Sequence, residues 1–452
     1  MASAEGENKK NIIIIGAGFS GTLTAIQLLR QHLTPLRVTL IDQRGVYGPG
    51  LAYSVPSDRF KLNVRAKAMG AFPEEPEHFL QWLVAHDPHR HGEEFISRRL
   101  YGQYLQQLLA DTAQQAKHHT LACLQEEAIE LAVIDEGNTV AVAFSSGRKI
   151  SADACVVAIG NLQRIAPETI EAKTLYRSPY HSSTYADLRE RDSIVVIGSG
   201  LSAIDAIIEA EASGFSGSYQ IISRHGRFPL AHEESPHTSV MLPDKWYELG
   251  SARQLLRLIR RLSCQIGSSQ PVFEAMRPHI QQMWSNLSLN ERRRFLRHAR
   301  PIWDIHRHRT PREHHDLISS LKISGRLSIH SGRLVTADRT GDHVTIKINR
   351  KGIVRSIEAS VAILCVGPEG NVSRIQHPFV SSILRIGHLK PSCLGLGFEE
   401  LPNHSADRVF TIGPLQRHMR WEITAVRELR EAAAQLAHQI GVSLELTRFV
   451  LD

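Results

Sequence analysis

Asn11-Ile-Ile-Ile-Ile-Gly16-Ala-Gly18-Phe-Ser-Gly21 sets four β-branched residues directly before three spaced glycines. The isoleucine run predicts a strand buried on both faces, as in parallel sheets. Gly16 permits a tight turn, Gly18 lets the backbone approach a pyrophosphate, and Gly21 lets the next helix pack on the strand. That helix, read over about 21–31, points its N-terminal N–H groups at the same phosphates. A second strand follows at Arg37-Val-Thr-Leu-Ile-Asp42, and Asp42 stands 21 residues beyond Gly21, where an acid reaches ribose hydroxyls. A lone glycine triplet is a weak signal. Strand, turn, helix, strand and acid in register specify a dinucleotide site.

The pattern recurs at Ser193-Ile-Val-Val-Ile-Gly198-Ser-Gly200-Leu-Ser-Ala203, where Ala203 takes the third glycine's place, an exchange the motif tolerates. Its second strand, Tyr219-Gln-Ile-Ile-Ser223, continues as Arg224-His-Gly-Arg227 and has no acid. Serine followed by arginine can hold a ribose 2′-phosphate, which an acid would repel. The first site therefore suits FAD and the second NADPH, with NADH possible. The bland alternative leaves Arg224 and Arg227 as solvated cations at a strand end. Two nucleotide sites in one chain point to electrons passing between two cofactors.

Both halves also close alike. Turn residues Asp135-Glu-Gly-Asn138 join two strand-like runs before Ala154-Cys-Val-Val-Ala-Ile-Gly160, and Asp338-Arg-Thr-Gly-Asp342 precedes Val344–Ile348 and then Ala359–Gly367. A buried strand ending in glycine brings a crossing connection close to the nucleotide. Seen twice, this marks an internal repeat. The expected architecture is α/β, with two Rossmann-like dinucleotide-binding domains for FAD and NAD(P)H and a helical insertion. The FAD domain is read as residues 1–165 and 371–452, and the NAD(P)H domain as 166–370.

The insertion is placed at about 241–313. Ser288-Leu-Asn-Glu291 reads as a capping box opening a helix, and 252–266 and 273–287 also read as helices. Its cluster Trp303-Asp-Ile-His306-Arg-His308-Arg309, with His314 and His315, invites a metal reading. The interleaved arginines oppose a cation, so no metal site is expected. A grip on an anionic substrate or a nucleotide phosphate, or a plain solvated patch, fits better.

Composition agrees with a two-domain enzyme. The 452 residues carry a net charge of +7, modest for this length and without the aromatic interleaving of a nucleic-acid surface. No apolar stretch reaches the roughly 20 residues of a spanning helix, so neither nucleic acid nor membrane is an expected partner, and cytoplasm is the expected location. The oligomeric state is not legible.

At this point the chain resembles the two-dinucleotide-binding flavoproteins, which include flavin-containing monooxygenases, N-hydroxylating monooxygenases and disulfide reductases. It is more closely similar to a bacterial group of FAD/NAD(P)-binding proteins. That resemblance rests on Gly48-Pro-Gly-Leu-Ala-Tyr53, Leu62-Asn-Val64, Ala71-Phe-Pro73, His78-Phe-Leu-Gln-Trp82 and Trp303–Arg309. Gly413-Pro-Leu415 and Trp421-Glu-Ile-Thr-Ala-Val426 complete it.

Disulfide-reductase chemistry needs paired thiols, and Cys123, Cys155, Cys264, Cys365 and Cys393 form no Cys-x-x-Cys pair. The monooxygenase linker Phe-x-Gly-x-x-x-His-x-x-x-Trp/Tyr is kept only at His181 and Tyr185, with Leu175 and Arg177 at its first two positions. The resemblance implies that the strand ending at Gly413 and a helix over 421–439 complete the flavin site, with Trp421 and Glu422 near the ring. His181, in a linker that can couple the two domains, and Trp421 are the candidate catalytic residues; the alternatives are a structural histidine and a core aromatic.

The expected function is an NAD(P)H-dependent FAD oxidoreductase. A monooxygenase using dioxygen on a small polar substrate, a heteroaromatic such as urate or an amine, is the leading form. A reductase or oxidase without oxygen insertion, or a non-catalytic nucleotide-binding regulator, is the alternative.

Overall fold

The computed structural model describes residues 9–162, 175–234, 239–401 and 408–446. The chain forms two compact units, one of residues 1–55, 64–162 and 369–452, the other of 56–63 and 163–368. The short excursion 56–63 into the second unit has no mark in the sequence. It is held there by buried Phe60, whose ring meets Tyr180 edge-on at 5.7 Å, and by a Lys61–Glu313 ion pair at 2.7 Å.

In the first unit the strand Lys10–Ile15 lies at the centre of a five-stranded parallel sheet. Leu36–Ile41 and then Thr120–Leu124 lie on one side, and Ala154–Val157 and then Val409–Thr411 on the other. Ile12 to Ile15 are at most 5% exposed, so the apolar run is buried on both faces as its composition requires. A three-stranded antiparallel sheet, Ala128–Ile134, Thr139–Phe144 and Lys149–Ala152, lies against it through Val140, Val142 and Phe144.

The second unit repeats this plan. Ser193–Ile197 is central, flanked by Ser218–Ser223 and Leu327–Ser331 on one side and by Val361–Leu364 and Tyr176–Arg177 on the other, all parallel. Its antiparallel sheet is Arg333–Thr340, His343–Arg350 and Ile353–Ala359. Asp338, read as a turn residue, lies within the strand opposite Thr345. The turn lies at the far end of that stretch, at Gly341, whose φ of +62° suits glycine.

The helical insertion is built on four large rings. Trp303 packs edge-on to Phe273 and Phe295 at 4.9 and 5.4 Å, and Trp284 meets Phe295 at 5.8 Å. Its helix Ala252–Ile266 buries Leu255, Leu258, Ile259 and Leu262 at helical spacing. The expected capping box forms by half: Ser288 Oγ accepts the Glu291 N–H at 3.3 Å, but the Glu291 carboxylate accepts the Ala252 N–H at 3.0 Å and caps the neighbouring helix.

One buried histidine ties first-unit stability to pH. His119 Nδ1 accepts the Leu36 N–H at 3.0 Å, so Nε2 carries the proton donated to the His32 carbonyl, also at 3.0 Å. Burial, and then the adjacent His118, push its pKa down to about 4. The folded state therefore disfavours the imidazolium. Stability is full above the unfolded value near 6.5 and falls as pH drops towards 4, by about 2–3 kcal/mol. Thermal melts across this range should show that slope, and His119→Asn, which keeps an acceptor for Leu36, should flatten it.

Candidate functional site

Gly16 donates its N–H to the Ile41 carbonyl at 2.8 Å and adopts φ +103°, and a Cβ there would lie 2.3 Å from the Ala158 carbonyl oxygen. Gly198 donates to the Ile222 carbonyl at 2.8 Å, has φ +122°, and a Cβ would lie 2.1 Å from the Cys365 carbonyl oxygen. The two turns are thus built alike, each glycine wedged between its central strand and a crossing one. Gly21 closes the first turn from the helix side, since a Cβ there would come within 1.9 Å of the Gly16 oxygen. Ala203, fully buried, takes that place in the second unit.

Gly18 and Gly200 behave differently. Each precedes a helix, Phe19–Gln31 or Leu201–Ala212, with extended backbone (φ −77° and −85°). A Cβ on Gly200 would meet nothing within 4 Å, and one on Gly18 only the Gly50 Cα at 3.4 Å. These glycines are not needed to close the fold. They leave clear the space over the helix N-terminus, a position whose free N–H groups suit a pyrophosphate.

Gly50 forms the wall of the first cradle, its own absent Cβ only 2.7 Å from the Gly18 Cα, and Gly48 donates to the Ala17 carbonyl at 2.9 Å. The resemblance contained this Gly-Pro-Gly block, but its role as a second glycine turn laid on the first was not legible. Gly413, at φ +108°, brings the C-terminal strand to Ser20 on the same helix end, and Gly160, at φ +67°, opens onto free space. Asp42 lies beneath this turn. Its Oδ2 accepts the Ala17 N–H at 3.3 Å and its Oδ1 the Arg44 N–H at 2.9 Å, and Oδ2 keeps a lone pair for a ribose hydroxyl.

At the matching place in the second unit, Ser223 Oγ accepts the Gly226 N–H at 2.8 Å, shaping the turn that carries Arg224 and Arg227, both exposed. His225 between them is held below its ordinary range by partial burial and by the charges of Arg224, Arg227 and Arg333. Arg333 was missed in the sequence because more than 100 residues separate it from the motif. Arg227 also depresses His306, after burial and Arg309, so the insertion's basic cluster adds to the field of this strand end.

That cluster is no solvated patch. Arg309 is 5% exposed and donates to the Ala231 carbonyl at 2.6 Å and to Ser269 Oγ at 2.8 Å, while Ser269 Oγ also bonds His306 Nδ1 at 2.7 Å. Buried polar groups must find partners, and here they bind the insertion's segments together. Among the described residues, His306, His308, His314 and His315 do not gather into a group able to hold a metal.

The linker histidine, His181, is exposed, while Tyr185 is buried with its hydroxyl donating to the Pro179 carbonyl at 2.8 Å. Arg177 donates to the Thr184 carbonyl at 2.8 Å and pairs with Asp187. Trp421 is 1% exposed with the Arg417 guanidinium over its ring at 4.3 Å, a packed core aromatic. The C-terminal helix begins at Val426, five residues later than expected, because Ala425 is extended and residues 421–424 form turns in which Trp421, Glu422 and Ile423 are buried.

All five thiols are unpaired, with Cys155 and Cys365 buried. Burial pushes Cys155 up to about 12 and Cys365 higher still. In chelator-containing buffer at pH 7.5, a thiol reagent should label Cys123, Cys264 and Cys393 in folded protein, and all five only after denaturation.

Residues 13–162 match the FAD-NAD(P)-binding family. A comparison with curated proteins finds no match. Among solved structures, ornithine N-hydroxylase from Kutzneria sp. 744, determined with reduced FAD, NADP+ and L-ornithine, aligns at TM-score 0.62 and 14% identity, over 97% of this chain and 99% of that one. L-lysine 6-monooxygenase from Pseudomonas syringae aligns at 0.60 and 17%, over 96% and 99%. Thioredoxin reductase from Lactococcus lactis aligns at 0.51 and 12%, over 97% and 100%. At such identities the likeness is one of fold, and it spans hydroxylases and a disulfide reductase alike. Among the described residues no helix is long and apolar enough to cross a membrane. Residues 13–162 thus match the FAD-NAD(P)-binding family, within a chain that has the fold of the two-dinucleotide-binding flavoproteins.

Proposed function

We propose that the chain is an FAD-dependent, NADPH-oxidising monooxygenase that hydroxylates a small amine. The observation that carries this reading is the pair of glycine turns, each closed by one glycine and left open over a helix N-terminus by another. Both cradles fit a dinucleotide: a side chain at Gly18 or Gly200 would enter space that the protein itself does not fill. In the first unit Gly16, Gly18, Gly21, Gly160 and Gly413 shape the FAD site, and Asp42 offers its carboxylate to the ribose. In the second, Gly198, Gly200 and Ala203 shape the NADPH site, with Arg224 for the 2′-phosphate. Bound FAD supplies the electron transfer and dioxygen chemistry, with NADPH as reductant.

The thiols support oxygenation over disulfide reduction, since all five are free and the sequence has no Cys-x-x-Cys pair. An amine is favoured over urate because the hydroxylases that share the fold act on ornithine and lysine. Purified protein should be yellow, and its NADPH oxidation should accelerate with one member of a panel of short primary amines and yield the hydroxylamine. Peroxide alone, with every amine and with urate, would place the chain among oxidases. Acceleration and oxygenation by urate would replace the amine reading.

A further inference from the structure

Three donor groups in the first unit converge from separate stretches of chain. Cys393 stands in the loop after the strand Leu389–Pro391, Glu399 in the returning strand Phe398–Glu400, and His418 after the turn Pro414–Gln416. Their ligand atoms lie within 4.8 Å of one another. We propose that these three residues form a zinc site with one position open to water.

The geometry carries this assignment. Glu399 Oε2 is buried without a hydrogen-bond partner, and it faces His418 Nε2 at 3.8 Å. Its other oxygen is taken by Lys390 Nζ at 3.2 Å. A buried carboxylate oxygen with no donor is costly, and a cation between it and the imidazole removes that cost. His418 is already oriented for the task. Its ring is nine-tenths buried, and Nδ1 bonds Ser392 Oγ at 2.8 Å, leaving Nε2 towards the carboxylate. An outer partner on the second ring nitrogen is the usual support of a metal-bound histidine.

The loop is fixed as well, since the His418 N–H bonds the Leu396 carbonyl at 3.0 Å and the Ser392 N–H the Gly397 carbonyl at 2.9 Å. Tetrahedral zinc sets its ligand atoms roughly 3.5 Å apart, so closure needs a shift of about 1 Å, chiefly by exposed Cys393. Thiolate, imidazole and carboxylate together suit zinc and not magnesium or calcium. Three protein ligands leave a fourth position for water.

The test uses the full chain stripped with a chelator and titrated with cobalt(II), which reports tetrahedral thiolate ligation by visible ligand-field bands and a near-ultraviolet charge-transfer band. One equivalent of cobalt should give both, and zinc should displace it. Cys393→Ser should remove the charge-transfer band and weaken zinc by at least about a hundredfold, and Ser392→Ala by about ten- to a hundredfold. Circular dichroism of each variant confirms folding, and the readout is independent of flavin content and NADPH oxidation. Absence of tetrahedral bands in the wild type overturns the proposal. So does undiminished binding in Cys393→Ser and Ser392→Ala, which would assign the cobalt to other surface groups.

Discussion

Gly16→Val and Gly200→Val are expected to fail in opposite ways. Valine at position 16 must adopt φ +103° and drive its Cβ to within 2.3 Å of the Ala158 carbonyl oxygen. Backbone strain and overpacking each cost about 1–3 kcal/mol, and neither can relax without moving the crossing strand. The first unit should lose about 3 kcal/mol or more, which for a unit of this size lowers Tm by roughly 6–12 °C, and the protein should purify without flavin. Valine at position 200 has ordinary φ and open space around its Cβ, so stability should stay within about 0.5 kcal/mol of wild type. Flavin should remain bound. What the side chain does occupy is the space proposed for the NADPH pyrophosphate. Losing a charge-assisted contact there costs about 1.5–3 kcal/mol, or ten- to a hundredfold in KM for NADPH. Thermal melts, flavin spectra and KM on the two proteins separate a glycine needed for closure from one needed for the ligand. Equal loss of stability in both would mean that Gly200 serves the fold alone.

The parts of this molecule that sequence makes legible are those dictated by local sterics. Four isoleucines before a glycine turn have one good solution, a buried parallel strand, and finding the arrangement twice exposes the duplicated sheet. Parts that depend on distant chain segments were out of reach. Gly50 shapes the first cradle only because the loop 48–50 folds back on Gly18, and no local pattern announces that return. Arg333 joins the cation cluster through strand order. The His306–Arg309 cluster looked exposed because arginine and histidine usually are. Its burial follows from Ser269 and Ala231, which approach it from elsewhere in the second unit. The late start of the C-terminal helix has the same origin: Trp421 suits a helix locally, but tertiary packing takes it into the core first.

Coenzyme choice should follow the cations at the end of the strand Ser218–Ser223. Arg224 and Arg227 flank a histidine whose protonation their charges oppose, so a positive field is present at the place where the first unit has Asp42. A charge-assisted hydrogen bond to a 2′-phosphate is worth about 1.5–3 kcal/mol. Arg224→Ala should therefore raise KM for NADPH by ten- to a hundredfold and leave KM for NADH within about twofold. Arg227 can take up part of the lost interaction, so Arg224→Ala/Arg227→Ala should show the larger effect. NADH supplies the internal control, because a substitution that distorted the turn held by Ser223 Oγ would weaken both coenzymes together. Arg224→Lys should recover only part of the affinity, since an ammonium replaces the planar fork with a point charge. Raising ionic strength should narrow the gap between NADPH and NADH in the wild type, because these side chains are exposed to screening. A wild-type preference for NADH, or equal loss with both coenzymes in the single variant, would remove Arg224 from the phosphate site and leave it a solvated cation.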